Sequence, residues 1–193
     1  MRIIGGKYKG LKLLPPNDTK IRPTSDRLKE SLFSIITSSK YRIKIDNCNV
    51  LDICSGTGSL GIEAFSRGAI SVYFIDKNHR SINLIYKNIS KLNIDKTYEN
   101  KIKIIKDEAT KALKSINKIF QIVLIDPPYN TNITENCLFK LKELNLICQD
   151  SYIFAESSKT ENFNYDGYQI LDIKLYGNSK LTILKLLSSS SIG

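Results

Sequence analysis

The sequence predicts an α/β fold: a mostly parallel sheet wrapped by helices and closed by an antiparallel C-terminal hairpin. Three observations carry this expectation. After residue 48, short apolar runs alternate with segments of helical period, and strands separated by helices imply a parallel, doubly wound sheet. The first run leads through Gly56-Thr57-Gly58-Ser59-Leu60-Gly61 into a helix. The last two runs, 168–176 and 180–187, have only Gly177-Asn178-Ser179 between them. That connection is too short for a crossover, so the final strand runs antiparallel to its neighbour.

The elements follow in order. Residues 49–53 form a short apolar strand, and a helix over 60–67 is stopped by Gly68. A second strand covers 72–75 and a second helix 79–92. A third strand over 102–105 precedes a short helix from about Ala109. The run 120–125 is apolar without alternation, as in a strand buried on both faces. A helix over 134–144 and a fifth strand over 152–155 complete the alternation. The first 45 residues do not fit this pattern. Segments 2–4 and 11–14, around Gly5-Gly6, suggest a small β-hairpin, and Pro15-Pro16-Asn17-Asp18 reads as a linker. A helix reaching about Thr37 follows Pro23-Thr24-Ser25, with Leu28, Leu32, Ile35 and Ile36 on one face and Thr24 or Ser25 as cap. The expected division is a basic extension over 1–45, a main domain over 46–187 and a flexible tail over 188–193.

Composition narrows the function classes. A chain of 193 residues, 41% hydrophobic and 25% charged, suits one domain with a small appendage. It opens without an apolar leader, and no run approaches membrane-spanning length. Four cysteines (Cys48, Cys54, Cys137, Cys148) lack C-x-x-C spacing and read as reduced thiols of a cytoplasmic protein. A single histidine, His79, leaves little material for a His-rich metal site or a Ser-His-Asp triad, and no metal is expected. The net charge of +10 is lopsided. Residues 1–45 hold eleven Lys/Arg against three acids, or +8; the rest hold 18 against 16, or +2. A basic appendage on a near-neutral domain is the electrostatic footprint of a polyanion-binding arm. The plainer reading is a Lys-rich surface that merely keeps the chain soluble. Lys7, Lys9, Lys12, Arg22, Thr24 and Arg27 are the candidate contacts; Arg22 and Arg27 have a rival role in docking the arm on acids.

The segment from Asp52 to Gly61 matches G-x-G-x-x-G at Gly56, Gly58 and Gly61, between a strand and a helix, where a ligand can approach the backbone closely. The ligand is a dinucleotide or S-adenosylmethionine, and acids distinguish them. Asp52 beside the loop would repel a pyrophosphate but suits an ammonium and a sulfonium. Asp76, ending the second strand and followed by Lys77, is placed for the ribose hydroxyls of either ligand and does not discriminate. Asp107-Glu108-Ala109, after the third strand, is placed for an adenine amino group. Acids at helix N-termini are also stabilised there without any ligand. Ser55, Leu60 and Asp126 complete the candidate cofactor set.

Asp126-Pro127-Pro128-Tyr129 follows the most apolar strand. Two prolines fix φ twice and remove two donors. The loop is stiff and presents a carboxylate, a carbonyl and an aromatic face at the mouth of a sheet. It is either a sharp strand exit or a clamp for a flat base and its exocyclic amine.

Taken together, these segments resemble the RsmD family, the bacterial 16S rRNA guanine-N2 methyltransferases. The resemblance rests on Gly5-Gly6, Gly10 and Leu13, on Arg22-Pro23-Thr24-x-Asp26-Arg27-x-x-Glu30-x-x-Phe33, and on Leu51-Asp52 with the glycine loop. It continues through Glu63-Ala64, Ser66-Arg67-Gly68-Ala69, Asp126-Pro127-Pro128-Tyr129, Glu156 and Tyr176-Gly177. Cys54 and Ser55 stand where members often have Phe and Ala, and Asn178-Ser179 replaces a usual small-residue-Thr pair. The resemblance implies a Rossmann-like class I methyltransferase with a seven-stranded sheet, S-adenosylmethionine as cofactor, and one guanine of 16S rRNA as acceptor. It implies a substrate within a partly or fully assembled small subunit. Asp126, Pro127, Pro128 and Tyr129 are the expected catalytic residues. With no apolar surplus in the composition, a monomer is expected. A DNA adenine-N6 methyltransferase uses the same tetrapeptide and is the nearest alternative; a non-catalytic RNA-binding assembly factor is another.

Overall fold

The computed structural model describes residues 1–16, 26–41, 43–94 and 100–187. The positions of Arg22, Thr24 and the tail lie outside these residues, and Arg27 is described by its backbone only. Helix α1 (Asp26–Ile36) precedes β1 (Asn49–Ile53), α2 (Ser59–Ser66), β2 (Ser71–Asp76), α3 (His79–Ser90) and β3 (Ile102–Lys106). Then come α4 (Ala109–Lys114), β4 (Ile122–Ile125), α5 (Ile133–Glu143), β5 (Tyr152–Ser158), β6 (Tyr168–Tyr176) and β7 (Ser179–Leu186). All seven strands form one sheet in the order β3-β2-β1-β4-β5-β7-β6, parallel except for β7, which is antiparallel to both neighbours.

The strand order reverses between β1 and β4, and in such sheets ligands bind outside the carboxyl ends at that switch point. The pair Ile53↔Ile125 closes the β1–β4 ladder. The glycine loop and the Asp126 loop therefore leave the sheet side by side. Strand residues alternate between two cores. Ile122, Leu124 and Phe154 join α1, α2 and α3 on one face; Val123, Ile125, Ile153 and Ala155 join α4 and α5 on the other.

Local differences from the sequence expectation have identifiable causes. Phe120 and Gln121 precede β4, because their N–H groups donate to Leu146 O and Asn49 O. Strand β5 outruns its expected end at 155, because β7 keeps pairing with it as far as Ser158↔Ser179. Tyr176 pairs with Ser179, so the hairpin connection is only Gly177-Asn178, with Gly177 at φ 57°.

The expected N-terminal hairpin holds one antiparallel bridge, Arg2↔Lys12, with Ile3 N donating to Leu11 O at 3.0 Å, Gly10 N to Ile3 O at 2.9 Å and Leu13 N to Met1 O at 3.3 Å. The ladder stops because the next donors are taken elsewhere. Glu63 on α2, fully buried, accepts from Ile4 N at 2.7 Å and Gly5 N at 2.8 Å. Lys7 N donates to Ser66 O, Tyr8 N to Ser66 Oγ, and Ser66 Oγ to Gly5 O. Gly6, at φ 76°, lies so close to α2 that a Cβ would stand 1.8 Å from Ser66 O. Gly5-Gly6 is thus a docking joint against α2. Farther along, Asn88 of α3 accepts from Leu14 N at 2.7 Å and donates to Thr57 O at 2.9 Å. One amide thereby ties the arm to the glycine loop. Ile3 and Leu13 are buried in the α1–α2 core. Lys29 contributes to the arm's basic count but is interior, its Nζ donating to Arg2 O at 2.5 Å.

Candidate active site

A cavity of about 530 Å³ opens at the switch point. One wall is the loop 54–57, a second is Asp76, Lys77, Asn78 and Ser81, and a third is Asp107, Glu108, Ala109 and Thr110. The fourth is Asp126, Pro127, Pro128 and Tyr129, backed by Ile133 and Asn136 at the start of α5. The sheet thus brings together four stretches that lie well apart along the chain.

The glycine loop is held by its neighbours in the sheet. Ser55 Oγ donates to Asp52 O at 2.7 Å and accepts from Ile75 N at 3.0 Å, stitching the ends of β1 and β2. Gly56 N donates to Asp76 Oδ2 at 2.9 Å, while Asp76 Oδ1 accepts from Asn78 N at 2.8 Å. Gly61 packs against β2 so tightly that a Cβ would meet Phe74 at 2.3 Å. Asp107 is exposed, its Oδ1 accepting its neighbour's Glu108 N at 2.8 Å. Lys77 is exposed on the rim.

Three candidate cofactor residues stand behind the wall rather than on it: Asp52, Gly58 and Leu60. Gly58 is the N-cap of α2 in a left-handed conformation, and Leu60 is buried in the core. Asp52 is 1% exposed and its Oδ2 accepts from Gly61 N at 2.9 Å. Gly61 is in the first turn of α2, where backbone donors have no helical partner. Asp52 is therefore an anchor for α2 beneath the loop. Burial pushes its carboxyl up to about 7, against the lowering effect of the Gly61 hydrogen bond, and the nearby Asp76 charge adds to the rise.

The sign of this shift gives a testable pH dependence. A carboxyl raised on folding takes up a proton between its ordinary value of 3.8 and about 7. Its contribution to stability is greatest below that window and falls as pH rises through it, by a few kcal/mol at most. Asp52→Asn keeps an oxygen for Gly61 N and removes the charge. Urea unfolding of this variant should show a flatter stability profile from pH 4 to 7 than the parent; an equal slope would contradict the assignment.

Cys54 lines the cavity at φ 61°, an uncommon conformation for a residue with a Cβ. Burial raises its thiol well above the ordinary range, so it carries no thiolate at neutral pH. His79 begins α3 outside the cavity, paired with Asn83 at 3.2 Å.

The Asp126 loop is braced from three sides. Asp126 N donates to Ile53 O at 3.3 Å. Tyr129 Oη lies 2.6 Å from Ser179 Oγ and donates to Glu156 Oε1 at 3.2 Å. Asn130 N donates to Glu161 Oε1 at 2.6 Å, and Thr131 Oγ1 donates to Pro128 O at 2.8 Å. Pro127 is buried; Asp126 and Tyr129 are half-buried with one side toward the cavity. The sequence reading missed the supporting Ser179 and Glu161, as well as Asn78, Ser81, Ile133 and Asn136. Asn78 carried a signal as the polar cap directly before a helix, its side chain accepting from Arg80 N. The others depend on contacts across the sheet.

A doubly wound sheet with a glycine loop and an Asp-Pro-Pro-Tyr loop facing across one cavity is the class I methyltransferase fold. The solved structures of Escherichia coli yhhF and Haemophilus influenzae HI0767 share it. They superpose with TM-scores of 0.80 and 0.76 at 24% and 29% identity, covering 96% and 97% of this chain and 97% and 98% of theirs. Residues 1–185 match the family described as Conserved hypothetical protein 95. The chain belongs to this family, the RsmD family. "Uncharacterized methylase RP545" of Rickettsia prowazekii is 32% identical, covering 97% of this chain and 98% of its own. The ribosomal RNA small subunit methyltransferase D of Buchnera aphidicola subsp. Baizongia pistaciae is 33% identical, covering 84% and 78%. Among the described residues, no helix is long and apolar enough to cross a membrane.

Proposed function

We propose that the chain transfers a methyl group from S-adenosylmethionine to the exocyclic N2 of a guanine in small-subunit rRNA, within an assembled or partly assembled subunit. The observation that carries this reading is the seating of Asp126-Pro127-Pro128-Tyr129 across one cavity from the glycine loop, Asp76 and Asp107. Relatives named as ribosomal RNA small subunit methyltransferases support the choice of acceptor.

The residues present fit the cofactor. At about 530 Å³ the cavity falls within the roughly 300–1,000 Å³ of small-molecule sites. Its acidic lining suits a ligand without phosphate. Asp76 on the lining offers a carboxylate to a ribose diol and Asp107 one to an adenine amino group. The loop backbone is left for the methionine end, with Asp52 fixing the helix behind it. When bound, S-adenosylmethionine supplies an electrophilic methyl on a sulfonium.

The chain's own residues prepare the nucleophile. A guanine N2 amine is poor, because its lone pair is delocalised into the ring. The Asp126 carboxylate and the Pro127 carbonyl accept its two N–H groups and turn the lone pair out of the ring plane, toward the methyl. The Asp126 carboxylate, or water, would take the proton that the amine loses on methylation. Alignment and exclusion of water carry most of such a transfer. Tyr129 stacks on the extruded base, and the bonds from its hydroxyl to Ser179 and Glu156 fix the plane of its ring. Incubation with labelled S-adenosylmethionine and small subunits, free rRNA or DNA tests the reading. N2-methylguanosine from the subunits is expected; N6-methyladenine from DNA would replace this reading with the alternative.

The arm supplies the electrostatic part of binding. Lys7, Lys9 and Lys12 are exposed, and each phosphate deprived of its cation lowers the salt slope by about 0.9. Changing all three to Glu should weaken rRNA binding and reduce the slope by roughly 3, read by filter binding across a salt series. An unchanged slope would remove these lysines from the RNA interface.

A further inference from the structure

Glu156 has an unused carboxylate oxygen beside the reacting group. It lies one position past the Ile125↔Ala155 pair, so it stands next to Asp126 on the neighbouring parallel strand. Residues level with each other in a parallel sheet point to the same face, on strands about 4.8 Å apart. Leu124 and Phe154, two residues earlier on each strand, both face the α1–α2 core. Asp126 and Glu156 accordingly line one small cleft, otherwise apolar and walled by Leu28 and Leu32 of α1 with Leu60, Ile125, Phe154 and Leu181. Glu156 is 6% exposed. Its Oε1 is held by Tyr129 Oη at 3.2 Å, and Oε2 accepts no hydrogen bond among the described residues.

An Asp-Pro-Pro-Tyr loop recognises an exocyclic amine and does not choose between guanine and adenine. The neighbouring ring position does differ. Beside its N2 amine, guanine carries an N1–H donor; beside its N6 amine, adenine carries an N1 lone pair. A fixed carboxylate accepts from the first and repels the second. We propose that Glu156 is the specificity-determining residue of this site: its Oε2 accepts the guanine N1–H while Asp126 and Pro127 hold the adjoining amine. The role rests on the proposed guanine-N2 activity. It follows the rule that a site built to pair a polar group strongly rejects an analogue that cannot pair. The hydroxyl chain from Ser179 through Tyr129 fixes the carboxylate, so selection and stacking are set by one network.

The test compares guanine with 2-aminopurine, which keeps the 2-amine but has a lone pair at N1. The substrate is an RNA carrying the methylated position, made with either base there. The parent protein should favour guanine by about 100-fold or more in kcat/KM. Glu156→Gln keeps an oxygen for Tyr129 and places an NH2 toward the base. It should lose about 100-fold on guanine, and its preference should fall to within about tenfold. Tyr129→Phe loses the bond that fixes Oε1 but keeps the carboxylate, and should weaken the guanine preference less than Glu156→Gln does. Parallel losses on both bases in Glu156→Gln would show that Glu156 only supports Tyr129, and would overturn base selection alone. Methylation of adenine in place of guanine by the parent protein would overturn the function reading as well.

Discussion

Asp126→Ala should lower the methyl-transfer rate by about 10³-fold or more while leaving S-adenosylmethionine affinity within a few-fold. The side chain lies on the Pro-Pro wall, apart from Asp76 and Asp107 on the other walls. Its removal takes away the proposed acceptor for the amine and leaves the glycine loop, Asp76 and Asp107 in place. Asp126→Asn keeps one acceptor oxygen and should retain part of the activity. Single-turnover methylation of small subunits reads the rate, and calorimetry reads cofactor affinity. An alanine variant that turns over at the parental rate would remove Asp126 from the chemistry.

Glu63→Ala should destabilise the fold by about 3 kcal/mol or more. The buried carboxylate receives two backbone N–H groups of the arm and Arg67 Nε at 2.8 Å. Removing it leaves the guanidinium and two amide donors without their acceptor. Arg67, which also lies over the Phe33 ring at 4.9 Å, then loses its tie between α2 and α1. Urea unfolding measures the loss, and hydrogen exchange at Ile4 and Gly5 should speed up more than exchange in β1. Glu63→Gln, with one acceptor oxygen left, should fall between. Unaltered exchange at the arm would contradict the docking role.

The parts of this molecule set by local chemistry could be read in the sequence. Alternating apolar runs placed the strands, and the two-proline step after the fourth run marked a loop that lines the cavity. The glycine pattern found its helix because strand and helix flank it directly. Roles decided across the sheet were harder to read. Asp52 resembled a cofactor acid, because nothing in its neighbours says that its oxygen meets Gly61 N behind the loop. Glu63 sits mid-helix, where acids are ordinarily solvated; only the approach of a segment 58 residues away makes it interior. Lys29 counted as surface charge for the same reason. Gly5-Gly6 read as a hairpin turn, whereas the need for glycine there comes from Ser66 O on another element.

The docking of the arm also has a consequence in time. Its hydrogen-bond partners on α2 and α3 lie 58 to 74 residues downstream. A chain made from its N-terminus at about 5–20 residues per second completes these partners only seconds after the arm has been synthesised. The arm is therefore made before the elements that seat it. Until Asn88 exists, the glycine loop lacks the amide that joins Thr57 O to Leu14.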